Sequence, residues 1–173
     1  MPSSILHPPS SRAIVALGSN IGDSESILHS AFAELQKFST APLVKSSLWQ
    51  TTPIDCPPGS PLFLNAVVAL VPASFETPET LLEKLQDLEK EFGRQPKKIL
   101  NEPRPLDLDL IAFGTEERST PSLTLPHPRA HLRKFVLQPL VEIAPDLILP
   151  GQTKTVAELL QSLTSDEAIR KWM

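Results

Sequence analysis

The chain has 173 residues, a formal net charge of −4, 40% apolar residues and one cysteine. That length supports one domain with a substantial core, and no apolar run reaches the length of a membrane span. The negative balance argues against a nucleic-acid binder, which is usually basic, while the lone Cys56 excludes an internal disulfide and suits a reducing compartment.

Residues 1–11 carry neither a basic start nor a long apolar segment, so no secretory signal is expected. They read as a flexible tail, with one domain over 12–173 and a cytoplasmic location. "AIVALG" (13–18) is a short apolar run ending at a glycine, a buried strand. After the loop "GSNIGDS", Asp23 or Ser24 caps a helix whose Ile27, Leu28, Ala31, Leu35 and Phe38 form one stripe. "LVKSSLWQT" (43–51) reads as a second strand. "TPIDCPPGSP" (52–61) holds four prolines and a glycine and is irregular. "LFLNAVVALV" (62–71) is the strongest strand signal in the chain.

Thr77 caps the next helix, with Pro78 at its first position, where a missing N–H is harmless. Leu81, Leu85, Leu88 and Phe92 give a core-facing stripe, and Gly93 fits the helix end. "RQPKKILNEPRP" (94–105) is a second proline-bearing loop, "LDLDLIAFG" (106–114) a strand and "TLPHPRAHLRK" (124–134) a basic turn. Short helices are expected around 135–143 and 155–163. The order is β-α-β-β-α-β with a helical C-terminal extension. That predicts an α+β, ferredoxin-like antiparallel sheet with helices packed on one face.

Three patterns bear chemistry. In "LDLDL", Leu106, Leu108 and Leu110 alternate with Asp107 and Asp109. The two carboxylates therefore share a strand face, roughly 6.5–7 Å apart, although Asp is depleted in strands. Either the face is solvated and salt-bridged to Arg104, or a cation lies between the carboxylates. Mg²⁺ is typically held by one or two carboxylates plus substrate phosphates. Two basic clusters flank the pair: Arg94, Lys97, Lys98 and Arg104 before it, and His127, Arg129, His131, Arg133 and Lys134 after it. In an acidic chain they suit an anionic ligand bound with metal, such as a nucleoside triphosphate. No P-loop motif is present to hold one. Finally, Asn65 shares a face with Phe63 and Val67 in an otherwise apolar strand. Such an amide needs a partner, either a nearby loop or a bound heterocycle beside Phe63.

These residues carry a resemblance. "ALGSNIGD", "TTPIDCPPGSPLFLNAVVAL", "EFGR", "PRPLDLDLIAFG" and "LPHPRAHLRKFVLQPLVEIAPDL" follow one another in this order. Together they resemble the 6-hydroxymethyl-7,8-dihydropterin pyrophosphokinases of folate biosynthesis, from about residue 13 to 151. The resemblance implies transfer of the β,γ-pyrophosphoryl group of ATP to the pterin hydroxymethyl group, with release of AMP. It implies two Mg²⁺ ions on Asp107 and Asp109, and Arg94 and Arg104 as catalytic-loop arginines. Gln86, Glu89, Leu110, His127 and Arg133 match nucleotide-side positions. Thr51, Thr52, Pro53, Ile54, Phe63, Asn65 and Phe135 match the pterin pocket, and Gly18, Ser19 and Asn20 match a first-strand signature shaping the floor. The partners expected are the two small-molecule substrates, with no nucleic acid and no membrane, and the chain is expected to be a monomer.

The sequence departs from the common pattern at Trp49, Asp55, Phe63, Pro96, Asn101 and Pro128, and Lys97 or Lys98 stands near the charge missing at Pro96. Two other classes share parts of this pattern. A nucleotidyltransferase-like palm domain also uses paired strand aspartates and two metals, but releases pyrophosphate. A non-catalytic ferredoxin-like module needs no metal ligands. An RNA-recognition module would need exposed aromatics and a basic sheet, against 5% aromatics and a negative charge here.

Overall fold

The computed structural model describes residues 12–53, 56–96, 98 and 102–173. The expected tail 1–11, and Ile54, Asp55, Lys97 and Asn101, lie outside the described residues. Strand β1 (Ala13–Ser19) is buried along its whole length. Helix α1 (Ser24–Gln36) starts where the Asp23 side chain accepts the Ser26 N–H, and it buries Leu28, Ala31, Phe32 and Leu35. Strands β2 (Val44–Lys45), β3 (Trp49–Thr51) and β4 (Phe63–Leu70) follow.

Helix α2 (Pro78–Glu91) opens with a reciprocal Thr77–Thr80 capping box and Pro78 in its first turn. It buries Leu81, Leu85 and Leu88 and ends at Gly93, whose φ of 93° suits a residue without a Cβ. Strand β5 (Asp107–Phe113), the hairpin strands β6 (Arg118–Ser119) and β7 (Thr124–Leu125), helices α3 (Lys134–Ile143) and α4 (Val156–Ser162), and strand β8 (Ile169–Lys171) complete the order.

Six strands form one sheet, in the order β5-β1-β4-β3-β8, with β2 also paired to β4; every pairing is antiparallel. The period-two alternation of β1, β4 and β5 divides the core. Val15, Leu17, Ala66, Val68, Leu108 and Leu110 pack with α1 and α2 on one face. Ile14, Ala16, Val67, Ala69 and Ile111 pack with α3 and α4 on the other. Burying each large aliphatic side chain contributes about 1.5–3 kcal/mol. Leu85, fully buried at the centre of the α2 stripe, would lose about 2–5 kcal/mol as alanine.

Three expectations need correction. Helices cover both faces of the sheet, because α3 and α4 carry their own apolar stripe (Val136, Leu137, Leu140, Val156, Leu159) onto the second face. The single strand expected over 43–51 is broken: the Ser46 hydroxyl accepts the Val67 N–H at 2.9 Å, taking the place of a backbone carbonyl and interrupting the ladder between β2 and β3. The C-terminal extension is not wholly helical, since it ends in β8, paired with β3.

One irregularity serves the site. Val15 pairs with Leu110 and Ile14 with Ala112, so Ile111 is an extra residue, a β-bulge in β5. It lets Ile111 and Ala112 both pack toward α3, while Leu110 stays on the α2 side and Asp107 and Asp109 keep to the α3 side.

Candidate active site

Register places the chemistry. Gly18 on β1 pairs with Asn65 on β4 and with Asp107 on β5; Ala16 pairs with Val67 and Asp109. Asn65, Gly18 and Asp107 thus form one row across three neighbouring strands. Helix α3 covers the far part of this face and leaves the row beneath a cleft of about 760 Å³. Thr51, Thr52, Phe63, Asn65 and Phe135 line that cleft together with Arg94, Arg104, Asp107, Asp109, His127 and Arg133.

The row explains Gly18. A methyl group there would stand 3.1 Å from Asn65 Oδ1 and 3.6 Å from Phe63 Cδ1. Asn65 donates through Nδ2 to the Thr51 hydroxyl at 2.7 Å, so one side of the amide is fixed. Asn20 ties the loops. Its N–H donates to the Arg104 carbonyl at 3.2 Å, its Oδ1 accepts the Arg104 N–H at 2.9 Å, and its Nδ2 donates to the Pro61 carbonyl at 3.4 Å. With three hydrogen bonds, two of them from its buried side-chain amide, Asn20 holds both proline-bearing loops at the cleft rim.

The other half is dominated by charge. Arg94 Nη1 donates to Asp107 Oδ1 at 2.6 Å and to Glu89 Oε2 at 3.0 Å. Arg104 Nε is buried without a hydrogen-bond partner among the described residues, 3.6 Å from Asp107 Oδ2. Asp109 makes no hydrogen bond or ion pair among the described residues. Burial, and then the Asp107 charge, push its carboxyl up to about 6. Burial drives Glu89 to about 7 against the pull of the Leu108 N–H. His127 is pushed down to about 4, first by burial and then by Arg133 and Arg129. Its Nδ1 accepts the Arg129 N–H at 3.2 Å, which leaves the neutral ring's proton on Nε2. Arg104 lies over the Phe63 ring at 5.2 Å and Arg133 over the Phe135 ring at 5.3 Å.

Four expected site residues do not line the cleft. Gln86 is exposed on α2, and Pro53 stands outside the lining. Glu89 instead braces β5 from its edge, accepting the Leu108 N–H at 2.9 Å. The Leu110 side chain is buried on the opposite face because it alternates with Asp109. Conversely, Leu132 and Glu167 line the cleft without having been singled out, and Arg129, named only within the basic cluster, joins them. Arg129 lay within the basic turn, but Glu167 sits in a C-terminal stretch without any periodic signal.

The donor set suits a hard cation. Among the described residues no group of three or more His, Cys, Asp or Glu side chains gathers as a metal site. Two carboxylates on one face fit Mg²⁺, whose remaining ligands are commonly water and substrate phosphate. The raised Asp109 carboxyl marks a half-buried, mutually repelling pair that a cation would neutralise.

Comparison with known proteins shows the family. The family model described as 7,8-dihydro-6-hydroxymethylpterin-pyrophosphokinase (HPPK) matches residues 14–145. The chain is 39% identical over 151 residues to the 2-amino-4-hydroxy-6-hydroxymethyldihydropteridine pyrophosphokinase of Synechocystis sp., covering 87% of this chain and 75% of that one. It is 37% identical over 162 residues to the protein of that name in Haemophilus influenzae, covering 91% and 96%. In fold it is similar to wild-type HPPK-DHPS of Plasmodium falciparum, with a TM-score of 0.68 at 13% identity over 87% of this chain and 44% of that one. The chain spans less than half of that larger protein, and the likeness concerns the fold alone.

Proposed function

We propose a function that proceeds from one premise: the chain belongs to the 7,8-dihydro-6-hydroxymethylpterin-pyrophosphokinase family. It is an ATP-dependent diphosphotransferase. Its reaction passes the β,γ-pyrophosphoryl group of ATP to the hydroxymethyl group of 6-hydroxymethyl-7,8-dihydropterin and releases AMP. The observation that carries this reading is the row Asn65–Gly18–Asp107. Two strand spacings, about 9–10 Å, separate a fixed amide, in a cleft that Phe63 and Phe135 also line, from a repelling acidic pair. A flat heterocycle at one end then directs its side arm toward phosphates at the other.

Thr51 fixes Asn65 by accepting from Nδ2, so Oδ1 is aimed at a ring N–H of the pterin. Phe63 and Phe135 supply apolar faces. Asp107 and Asp109 would hold Mg²⁺, two ions in this reading, and the metal would supply charge neutralisation for the triphosphate. Arg104 Nε, buried and without a hydrogen-bond partner among the described residues, and Arg94 donate to oxygens of the group in transit, where charge shifts during transfer. Neutral His127 donates from Nε2, and Arg133 adds charge on the nucleotide side. The edge of β5 offers the Leu110 backbone to the base. As the triphosphate draws Arg104 and Arg133 off Phe63 and Phe135, both rings are uncovered for the pterin, so nucleotide precedes pterin.

The strand order β5-β1-β4-β3, antiparallel throughout, supports the ferredoxin-like reading of the sheet core. We read 12–173 as one domain acting as a cytoplasmic monomer. Incubating the protein with ATP, Mg²⁺ and the hydroxymethyl pterin, and separating the nucleotides by chromatography, tests the reaction. AMP formed only when all three are present supports it. Release of inorganic pyrophosphate would favour the nucleotidyltransferase alternative, and no turnover would favour a binding module.

A further inference from the structure

We propose that the C-terminal segment 167–171, outside the residues that match the family model, is a working part of the cleft's pterin half, with Glu167 as the positioning residue that holds Phe135. The proposal rests on reading Phe135, Thr51 and Thr52 as pterin-side residues.

Glu167 is buried, with 8% exposure, and lines the cleft beside Thr51, Thr52 and Phe135. Its Oε2 accepts the Phe135 N–H at 3.1 Å. A carboxylate near a helix start commonly serves as a cap. Here, however, it arrives from 32 residues further along the chain. Arg133, the residue in the N-cap position of α3, supplies no capping side-chain bond. The residue it grips also carries one of the two rings of the cleft, so fixing that N–H fixes where the ring stands.

The same segment holds the opposite wall. The Thr52 N–H donates to the Ala168 carbonyl at 3.1 Å, and the Ala168 N–H donates to the Thr52 hydroxyl at 3.3 Å. Thr51 pairs with Ile169, and Gln50 with Arg170. Without β8, β3 would be the sheet edge at this end, and a short edge strand has little to hold it. Two anchors pin β8 on opposite faces. Lys171 lies 3.9 Å from Glu142 of α3, and the Trp172 indole N–H donates to Glu25 of α1 at 3.1 Å.

Wild type, Glu167→Ala and Glu167→Gln are titrated by calorimetry with a non-hydrolysable ATP analogue, and then with the hydroxymethyl pterin in its presence. Glu167→Ala should bind pterin about tenfold more weakly, with nucleotide affinity unchanged. Glu167→Gln keeps an acceptor oxygen and should restore pterin binding. Hydrogen exchange at the Phe135 amide should accelerate in Glu167→Ala and not in Glu167→Gln. Pterin binding by Glu167→Ala equal to wild type would overturn the proposal, as would parallel losses of nucleotide and pterin affinity. A wild-type protein that bound no pterin would overturn the site reading itself and the proposal with it.

Discussion

Arg94 Nη1 lies 2.6 Å from Asp107 Oδ1, so a loop arginine pairs with a carboxylate that the proposed function gives to metal. The pair is only partly exposed, at 17% and 26%, and so less screened than a surface pair. Under the proposed function, metal bound at Asp107 competes with Arg94, which is then free for the phosphates. Mn²⁺ binding, followed by electron paramagnetic resonance, should therefore be weak without nucleotide and several-fold tighter in Arg94→Ala. That variant should still lose roughly 10²-fold or more in kcat. Weaker Mn²⁺ binding in Arg94→Ala would contradict the assignment.

The two aspartates should respond oppositely to neutralisation. Asp107 has two arginine partners, whereas Asp109 has no ion-pair partner among the described residues and carries a carboxyl raised to about 6 by burial and its neighbour. Asp109→Asn should stabilise the apo protein by about 1–3 kcal/mol at pH 7. Asp107→Asn should destabilise it by about 1–3 kcal/mol, since two partly buried guanidinium groups lose their counter-charge. Both should abolish turnover. Thermal unfolding and AMP release, measured on the same preparations, check the split.

Gly18 is required by close approach. Gly18→Ala brings a methyl within 3.1 Å of Asn65 Oδ1 and displaces the amide from Thr51. Pterin affinity should fall about tenfold or more, roughly 1.4 kcal/mol, while ATP-analogue affinity holds. Asn65→Ala should give the same pattern. Calorimetry showing normal pterin binding by either variant would exclude the slot.

Acid sensitivity should trace partly to His127. Its value is lowered from 6.5 to about 4 by burial and by Arg133 and Arg129, with Asp107 opposing. The folded form then takes up a proton less readily than the unfolded chain. Stability from this group is complete above about pH 6.5 and is lost as pH falls toward 4. His127→Gln should reduce the loss of stability between pH 7 and pH 4.5 by about 1–2 kcal/mol, allowing for solvent screening at a part-exposed ring. Identical pH profiles would refute this.

Periodicity revealed the elements that bury apolar stripes, because alternation in β4 and β5 and the spacing in α2 are local consequences of one-sided burial. The shared face of Asp107 and Asp109 followed from the same alternation. Other features escaped because they depend on distant partners. Ser46 interrupts the second strand through Val67, β8 exists only by pairing with β3, and Glu167 reaches the cleft by folding back onto α3. For Leu110 a motif match names a position, and the pleat buries its side chain on the α2 side.

The central claim is that phosphates gathered at Asp107 and Asp109 pass as a pair to a pterin held at Asn65. Phosphorus-31 NMR of the reaction with ATP, Mg²⁺ and hydroxymethyl pterin reads this directly. The account predicts an AMP singlet together with two mutually coupled phosphorus signals on the pterin ester. Inorganic pyrophosphate beside a pterin–AMP ester, or ADP beside a pterin monophosphate, would contradict it.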